Sequence, residues 1–319
     1  MIMDNAPLLL RSLLFVPGDS ERKLAKAQAV AADALIVDLE DSVAAEHKSR
    51  ARELAAEFLG DRAAIRAQTV WVRTSSTTDA RFADDVMTAV HGRAEGIVLP
   101  KPRSTADVTA LGKRLDALEA RSGRALGATK ILPIATETPS SIFALGGYAD
   151  CGPRLAALTW GAEDLSAAVG ATTTLDADGH WLPPYELVRS LCLLAAAAAG
   201  VPAIDTVHTE LRDLEGLAAA AAMAQRDGFT GKLAIHPDQV EVLNRAFQPT
   251  AAAVAAAREI VAAFAAHVGA GVVAHAGRML DRPHLQRAQR VLALAAAGGA
   301  AAPSEIEDQR EPGRLPWHS

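Results

Sequence analysis

The chain has 319 residues, 50% of them hydrophobic, with 32 basic against 38 acidic side chains and a net charge of -6. That length and apolar content can bury one large core with an appendage, and the mild acidic balance leaves no basic footprint for a nucleic-acid backbone. The opening MIMDNAPLLLRSLLFVP carries an early acid, Arg11 and a Pro-Gly turn, so it reads as neither signal nor membrane span, and Cys151 and Cys192 show no metal-ligand spacing and point to a reduced, cytoplasmic setting.

Eight short apolar runs, LLFVP, ALIVD, VWVRT, GIVLPK, ILPIATE, ALTWGAED, AIDTV and KLAIHP, punctuate residues 13–237, and nearly all close on a charged or hydrogen-bonding side chain. Continuous Val/Ile/Leu runs are the mark of strands buried on both faces, and alternation with helical stretches implies parallel strands joined by crossover helices. Eight such units predict an α/β fold of the (β/α)8 TIM-barrel type.

The first strand, 13–16, stops at Pro17-Gly18-Asp19-Ser20, where Ser20 or Asp19 can cap the helix ERKLAKAQAVAA. The second, 34–38, delivers Asp38, Glu40 and Asp41 in quick succession before a helix over 45–59 that ends at Gly60. Strand three brings Arg73 and Thr74 to the top. A helix near 79–91 precedes strand four, which finishes at Pro100-Lys101-Pro102, and a helix over 105–121 leads to strand five, 131–135, ending in Thr136-Glu137-Thr138-Pro139. Strand six closes on Trp160-Gly161-Ala162-Glu163-Asp164, and the Thr-, Asp-, Gly- and Pro-rich stretch 171–184 reads as a substrate-covering loop. Strands near 203–207 and 232–236 complete the ring. Past residue 248 the alternation stops, and two Ala-rich helical patterns, 250–267 and 284–298, flank GAGVVAHAGRMLDRP. The predicted organisation is a barrel over 11–248, a C-terminal helical lid module over 249–298 and a flexible tail over 299–319.

Chemistry in such a barrel sits at the carboxyl ends of the strands, which selects Asp19, Asp38, Glu40, Arg73, Lys101, Glu137, Asp164, Asp205 and His236. Glu137 and Asp164 follow neighbouring strands, so their Cα atoms are expected within roughly 5–8 Å of each other. With no His or Cys beside them, oxygen is the only ligand element and Mg²⁺ the expected ion. The competing reading has each carboxylate capping the helix it precedes. Arg73 offers a planar fork to a carboxylate or polarised carbonyl, or an ion pair to Asp38 or Glu40, and both can hold together. Asp38, Glu40, Asp41 and Lys101 read as a supporting layer behind the ligands, with Lys101 open between a salt bridge to the acidic cluster and a substrate contact. His236 reads as a base or as a satisfied hydrogen-bonding residue. A magnesium ion plus an arginine both stabilise negative charge developing on oxygen, which suits an enolate formed when a carbon–carbon bond beside a carbonyl is made or broken. A 2-oxo acid product would chelate the ion.

The segments RSLLFVPGDSERKLAKA, ALIVDLEDSVAAEHKSRAR, GIVLPKP, the stretch around Glu137, WGAEDLSAAVG, PAIDTVHTELRDLEGL and GFTGKLAIHPDQVEVLNRAF resemble the citrate lyase β-subunit-like family of the HpcH/HpaI aldolase superfamily, relatives of malyl-CoA and citramalyl-CoA lyases, over residues 11–295. The resemblance implies a Mg²⁺-dependent barrel that cleaves a 3-hydroxy-3-carboxy acyl thioester to an acyl thioester and a 2-oxo acid. It implies metal carboxylates at Glu137 and Asp164, a substrate arginine at Arg73, and CoA phosphates near Arg22, Lys23 and Lys26. It also implies homo-oligomers, trimers or hexamers, whose C-terminal module covers a neighbour's active site. Two positions depart from the family pattern. Thr74 stands where a polar amide is usual, and Ala276, within His275-Ala276-Gly277-Arg278-Met279, stands where the family carries an aspartate that moves a proton in the adjoining subunit's site. His275 is one replacement, metal-bound water another. The alternatives are an aldolase or thioesterase on related 2-oxo acid or CoA substrates, or a catalytically silent CoA-ester-binding homologue.

Overall fold

The computed structural model describes residues 8–61, 68–267 and 269–298. The predicted tail over 299–319 and the first seven residues of the N-terminal stretch lie outside them. The chain divides into two compact units, Leu10–Phe247 and a second made of Met1–Leu9 with Gln248–Ser319.

The first unit is the predicted barrel. Its strands are β1 (Ser12–Pro17), β2 (Ala34–Asp38), β3 (Thr69–Arg73), β4 (Gly96–Leu99), β5 (Lys130–Pro133), β6 (Leu158–Thr159), β7 (Ala203–Asp205) and β8 (Gly231–Ala234). They pair in the order β5-β4-β3-β2-β1-β8-β7-β6, every pair parallel. Parallel bridges Ile131↔Leu155 and Ile134↔Thr159 join the two ends of that order and close the ring. Around it run α1 (Glu21–Ala27), α2 (Lys48–Gly60), α3 (Phe82–His91), α4 (Thr105–Ser122), α5 (Pro139–Ile142), α6 (Glu163–Val169), α7 (Pro183–Ala198), α8 (Leu214–Asp227) and α9 (Pro237–Phe247).

Alternation along each strand sorts the apolar runs into two layers. Leu14 and Val16, Leu35 and Val37, Val70 and Val72, Ile97 and Leu99 share one buried cluster with helix residues such as Leu54, Val86 and Leu111, so they face outward. Leu13, Ile36, Trp71, Val98, Leu132, Ile204 and Leu233 are equally buried but lie outside that cluster and fill the barrel. Each fully buried aliphatic side chain contributes about 1.5–3 kcal/mol, and every run supplies both layers, which is why the runs are continuous rather than alternating. Local signals agree with the helix boundaries: Ser20 caps α1 by accepting from the Lys23 amide, Ser104 caps α4, and Gly123 and Gly170 end α4 and α6 in the left-handed region.

The second unit contains α10 (Ala251–Ala266) and α11 (Arg282–Ala297), where the Ala-rich patterns predict helices, and between them a hairpin that the helical reading of this region omits. Its strands β9 (Val272–His275) and β10 (Arg278–Asp281) pair antiparallel across Ala276 and Gly277, both at positive φ, 48° and 72°. Two left-handed residues make the tight turn whose twist matches a hairpin. Val273 and Leu280 bury one face of it against Phe264.

Candidate active site

The acidic loop after β2 and the end of β3 meet because of register. Asp38 and Arg73 are Cα partners on adjacent strands, so both side chains project at the same level into the barrel mouth. Arg73 Nε donates to Asp38 Oδ1 at 2.7 Å and Nη2 donates to Oδ2 at 2.6 Å, a bidentate pair in which Asp38 is only 1% exposed. The amides of Glu40 and Ser42 also donate to Asp38. Burial alone would raise the Asp38 pKa, but the Arg73 charge and these hydrogen bonds outweigh it and hold the carboxyl below the usual range. The guanidinium lies over the Phe15 ring, 4.8 Å from its centroid. Its fork is therefore used by the protein, and Nη1 turns towards the carboxylates of Glu40 and Asp41. Of the two readings of Arg73, the ion pair with Asp38 is the one formed in the structure.

Glu40 carries the next layer. Its Oε1 accepts from Lys101 Nζ at 2.8 Å, while the buried Oε2 lies 3.1 Å from Arg73 Nη1 without hydrogen-bond geometry. Desolvation, opposed by the Arg73 and Lys101 charges, raises the Glu40 pKa to about 7. Asp41, exposed, accepts a second Lys101 bond at 2.8 Å, and Lys48 from α2 donates to the Leu39 and Glu40 carbonyls, pinning the loop from behind. On the β3 side, Asp85 from α3 accepts the Ser75 amide at 2.8 Å and fixes the turn that follows Arg73.

Lys101 joins this half of the mouth to the other. It sits at φ 50°, a left-handed conformation rare for a side-chain-bearing residue, and its amide donates to Glu137 Oε2 at 2.6 Å. Its ammonium reaches Asp164 Oδ1 at 3.3 Å. Burial, with the Asp164 and Glu40 charges adding to it and the Lys101 amide opposing, raises the Glu137 pKa well above the carboxylate range. Glu137 Oε1 accepts no protein hydrogen bond among the described residues. Room for it comes from Gly161, where a Cβ would lie 2.8 Å from Glu137 Cγ. The capping alternative for the two carboxylates is not met: the N-cap positions of α5 and α6 are Thr138 and Ala162, with no side-chain cap, and neither acid serves. Five carboxylates (Asp38, Glu40, Asp41, Glu137 and Asp164) thus surround two cations, a formal excess of three negative charges when all are ionised, and the buried Glu40 Oε2 has no hydrogen-bond partner. An all-oxygen donor set with surplus negative charge fits a hard divalent cation.

Other expected residues fall elsewhere. Arg22, Lys23 and Lys26 are exposed on α1. Asp19 pairs with His47 at 3.4 Å, and the His236 ring accepts the amide of Asp238 in the first turn of α9. Asp205, expected at the rim, faces outward instead: it shares the face of Ala203, which packs with the helices, and binds Lys232 Nζ at 2.7 Å, the Trp160 indole at 2.7 Å and Arg189 of α7. That buried network holds sheet to helix. His275, in the second unit, lies 3.4 Å from Glu259 of α10. Within the loop before α7, Asp176, Asp178 and His180 gather three exposed donors, but Asp176 Oδ1 accepts the amides of the other two, as in a tight turn. Lys48, Asp85 and Phe15 support the mouth without any sign in the sequence beyond their place in a helix or strand.

The model of the family described as HpcH/HpaI aldolase/citrate lyase matches residues 11–237. The chain belongs to that family. A second model, a C–C bond lyase of the TIM-barrel fold, matches residues 193–300. Among curated relatives, citrate lyase subunit beta of Haemophilus influenzae is 35% identical over 294 residues, covering 91% of this chain and 98% of that protein. The (3S)-malyl-CoA thioesterase of Cereibacter sphaeroides is 34% identical, covering 90% of this chain and 95% of its own. Among solved structures, protein CitE from Mycobacterium tuberculosis in complex with magnesium, acetoacetate and coenzyme A superposes with a TM-score of 0.71 at 33% identity, covering 89% of this chain and 97% of that one. The expected family, the TIM barrel and, at the level of the family, a lyase-type enzyme class are thereby shown for this chain.

Proposed function

We propose that this family member is a Mg²⁺-dependent carbon–carbon lyase that cleaves a 3-hydroxy-3-carboxy acyl-CoA of the malyl-CoA or citramalyl-CoA type to an acyl-CoA and a 2-oxo acid. The observation that carries the reading is the approach of Glu137 and Asp164 to one residue, Lys101, within an all-oxygen cluster of surplus negative charge that faces Arg73. The relative solved with magnesium, acetoacetate and coenzyme A supports it.

Glu137 and Asp164 would hold the ion, which when bound draws negative charge on the oxygens of the 2-oxo acid half. Arg73, its fork locked on Asp38, offers Nη1 to the oxygen on which charge gathers. In the cleavage direction the substrate hydroxyl loses its proton and the carbon–carbon bond beside it breaks. The electron pair passes to the carbon next to the thioester as an enolate, and that carbon takes up a proton. His275, beside the alanine that replaces the family's aspartate, is our candidate for the proton carrier, and Arg22, Lys23 and Lys26 are our candidates for the CoA phosphates. We assign homo-oligomeric assembly, a lid role for residues 249–298 and a soluble, cytoplasmic setting as parts of the same proposal. One stretch, Pro237–Ala266, has the length and mean hydropathy, 1.3, of a membrane span. Its apolar character is mostly alanine, and residues 248–250 divide it into α9 and α10, so we read it as two surface helices.

Ala276 favours a second reading, in which the chain hydrolyses the thioester or binds CoA esters without turnover; the thioesterase relative supports the former. Purified protein with Mg²⁺ and malyl-CoA, citramalyl-CoA or the free acids separates these. A 2-oxo acid with an acyl-CoA supports the lyase, and free thiol indicates the hydrolase. Binding of the CoA ester with no product of either kind indicates the silent homologue.

A further inference from the structure

Lys101 is the residue through which both candidate metal carboxylates are held, and it holds them differently. Its backbone amide grips Glu137 Oε2 at 2.6 Å, a bond that does not depend on the side chain. Its ammonium is 2.8 Å from Glu40, 2.8 Å from Asp41 and 3.3 Å from Asp164. The left-handed backbone at Lys101, a sparsely populated conformation for a residue with a side chain, permits both at once. A compact, strongly charged donor among three carboxylate oxygens has the environment of a small bound cation.

We propose that the Lys101 ammonium acts as a built-in counter-ion that competes with the divalent ion for Asp164, so that metal uptake transfers this carboxylate from lysine to metal and loosens the lysine for other work at the mouth. The inference rests on the reading of Glu137 and Asp164 as metal ligands. Two positive centres cannot share one carboxylate closely without mutual repulsion, and at partly buried sites that repulsion outlasts solvent screening. The amide bond to Glu137 remains throughout, so one ligand stays fixed while the other changes partner. Lysine suits the task because its flexible stem lets the charge swing aside, whereas a planar guanidinium would lock in place.

The test is calorimetric titration of the full-length protein with Mg²⁺, with no substrate and no turnover. Lys101→Met keeps the stem and the amide bond but removes the competing charge, and is expected to tighten Mg²⁺ binding by at least about ten-fold. Lys48→Met is the control, because it removes the same charge beside the same acidic loop from a lysine that bonds carbonyls rather than carboxylates. It is expected to change affinity by less than about three-fold. Thermal melting gives an independent readout: Mg²⁺ should raise the Tm of Lys101→Met more than that of the parent, since the variant lacks its internal counter-ion. Should Lys101→Met not fold, Lys101→Gln carries the same expectation. Unchanged or weaker binding in the Lys101 variant, or equal tightening in both variants, overturns the competition. A parent protein that binds no Mg²⁺ overturns instead the metal reading on which it rests.

Discussion

Replacing Arg73 by methionine tests the electrostatic logic of the mouth without touching a metal ligand. The methionine stem keeps contact with Phe15, but Asp38 loses both bonds of its bidentate partner while remaining 1% exposed. Stranding one member of a buried ion pair costs about 3–5 kcal/mol, and the amides of Glu40 and Ser42 that still serve Asp38 place the expected loss near the lower end, about 3 kcal/mol at neutral pH. The pH dependence gives the argument its sign. In the parent the Asp38 pKa is depressed, so its contribution is present above the ordinary carboxylate value and is lost only as pH falls through the lower folded value. In the variant, burial is opposed at Asp38 only by the Glu40 and Ser42 amides, so Asp38 moves up, as do Glu40 and Glu137, both of which Arg73 holds down in the parent. A carboxylate raised in the folded state penalises folding above its unfolded pKa, so the variant's deficit should shrink as pH falls from 8 towards about 5. Urea denaturation of parent and variant at several pH values measures this. A deficit below about 1 kcal/mol, or one independent of pH over that range, refutes the reasoning.

Glu137→Gln and Asp164→Asn should leave the melting temperature within a few degrees of the parent and weaken Mg²⁺ binding by at least about a hundred-fold in calorimetry, with loss of any metal-dependent turnover. Gly161→Ala should weaken Mg²⁺ binding without altering the ligands, because the new Cβ would lie 2.8 Å from Glu137 Cγ; unaltered affinity would mean that Glu137 has slack. Glu40→Gln should remove a fall in stability that the parent shows as pH rises from about 4.5 through about 7, the interval between the ordinary and the raised pKa of this carboxyl, read by melts across that range. Ala276→Asp should be tolerated by the hairpin, since aspartate accepts the left-handed conformation better than alanine, and should raise lyase turnover if a carboxylate is what the tip lacks. His275→Ala should lower turnover if the neighbouring imidazole carries the proton, and an unchanged rate assigns the step elsewhere.

The barrel was legible because each strand is buried on both faces and so leaves an unbroken aliphatic run, and the polar residue ending each run marks the mouth. What runs alone do not show is which way a strand-end side chain points. Asp205 belongs to the outer layer because it shares parity with Ala203, and only the position of α7 with Arg189 makes that visible. The locked fork of Arg73 follows from register across β2 and β3, which depends on how two strands slide past each other. Lys101 as a bridge required a left-handed backbone that the flanking prolines do not announce. The hairpin of the second unit had a readable signal, Ala-Gly between VVAH and RMLD, but four-residue strands are too short to stand out between two alanine-rich helices.

The most direct test is a crystal soaked with Mn²⁺ in place of Mg²⁺, with pyruvate added, and examined at the manganese absorption edge. An anomalous peak bonded to both the Glu137 and Asp164 carboxylates is the predicted result. No peak between them, or a peak only at Asp176, Asp178 and His180, would contradict the account.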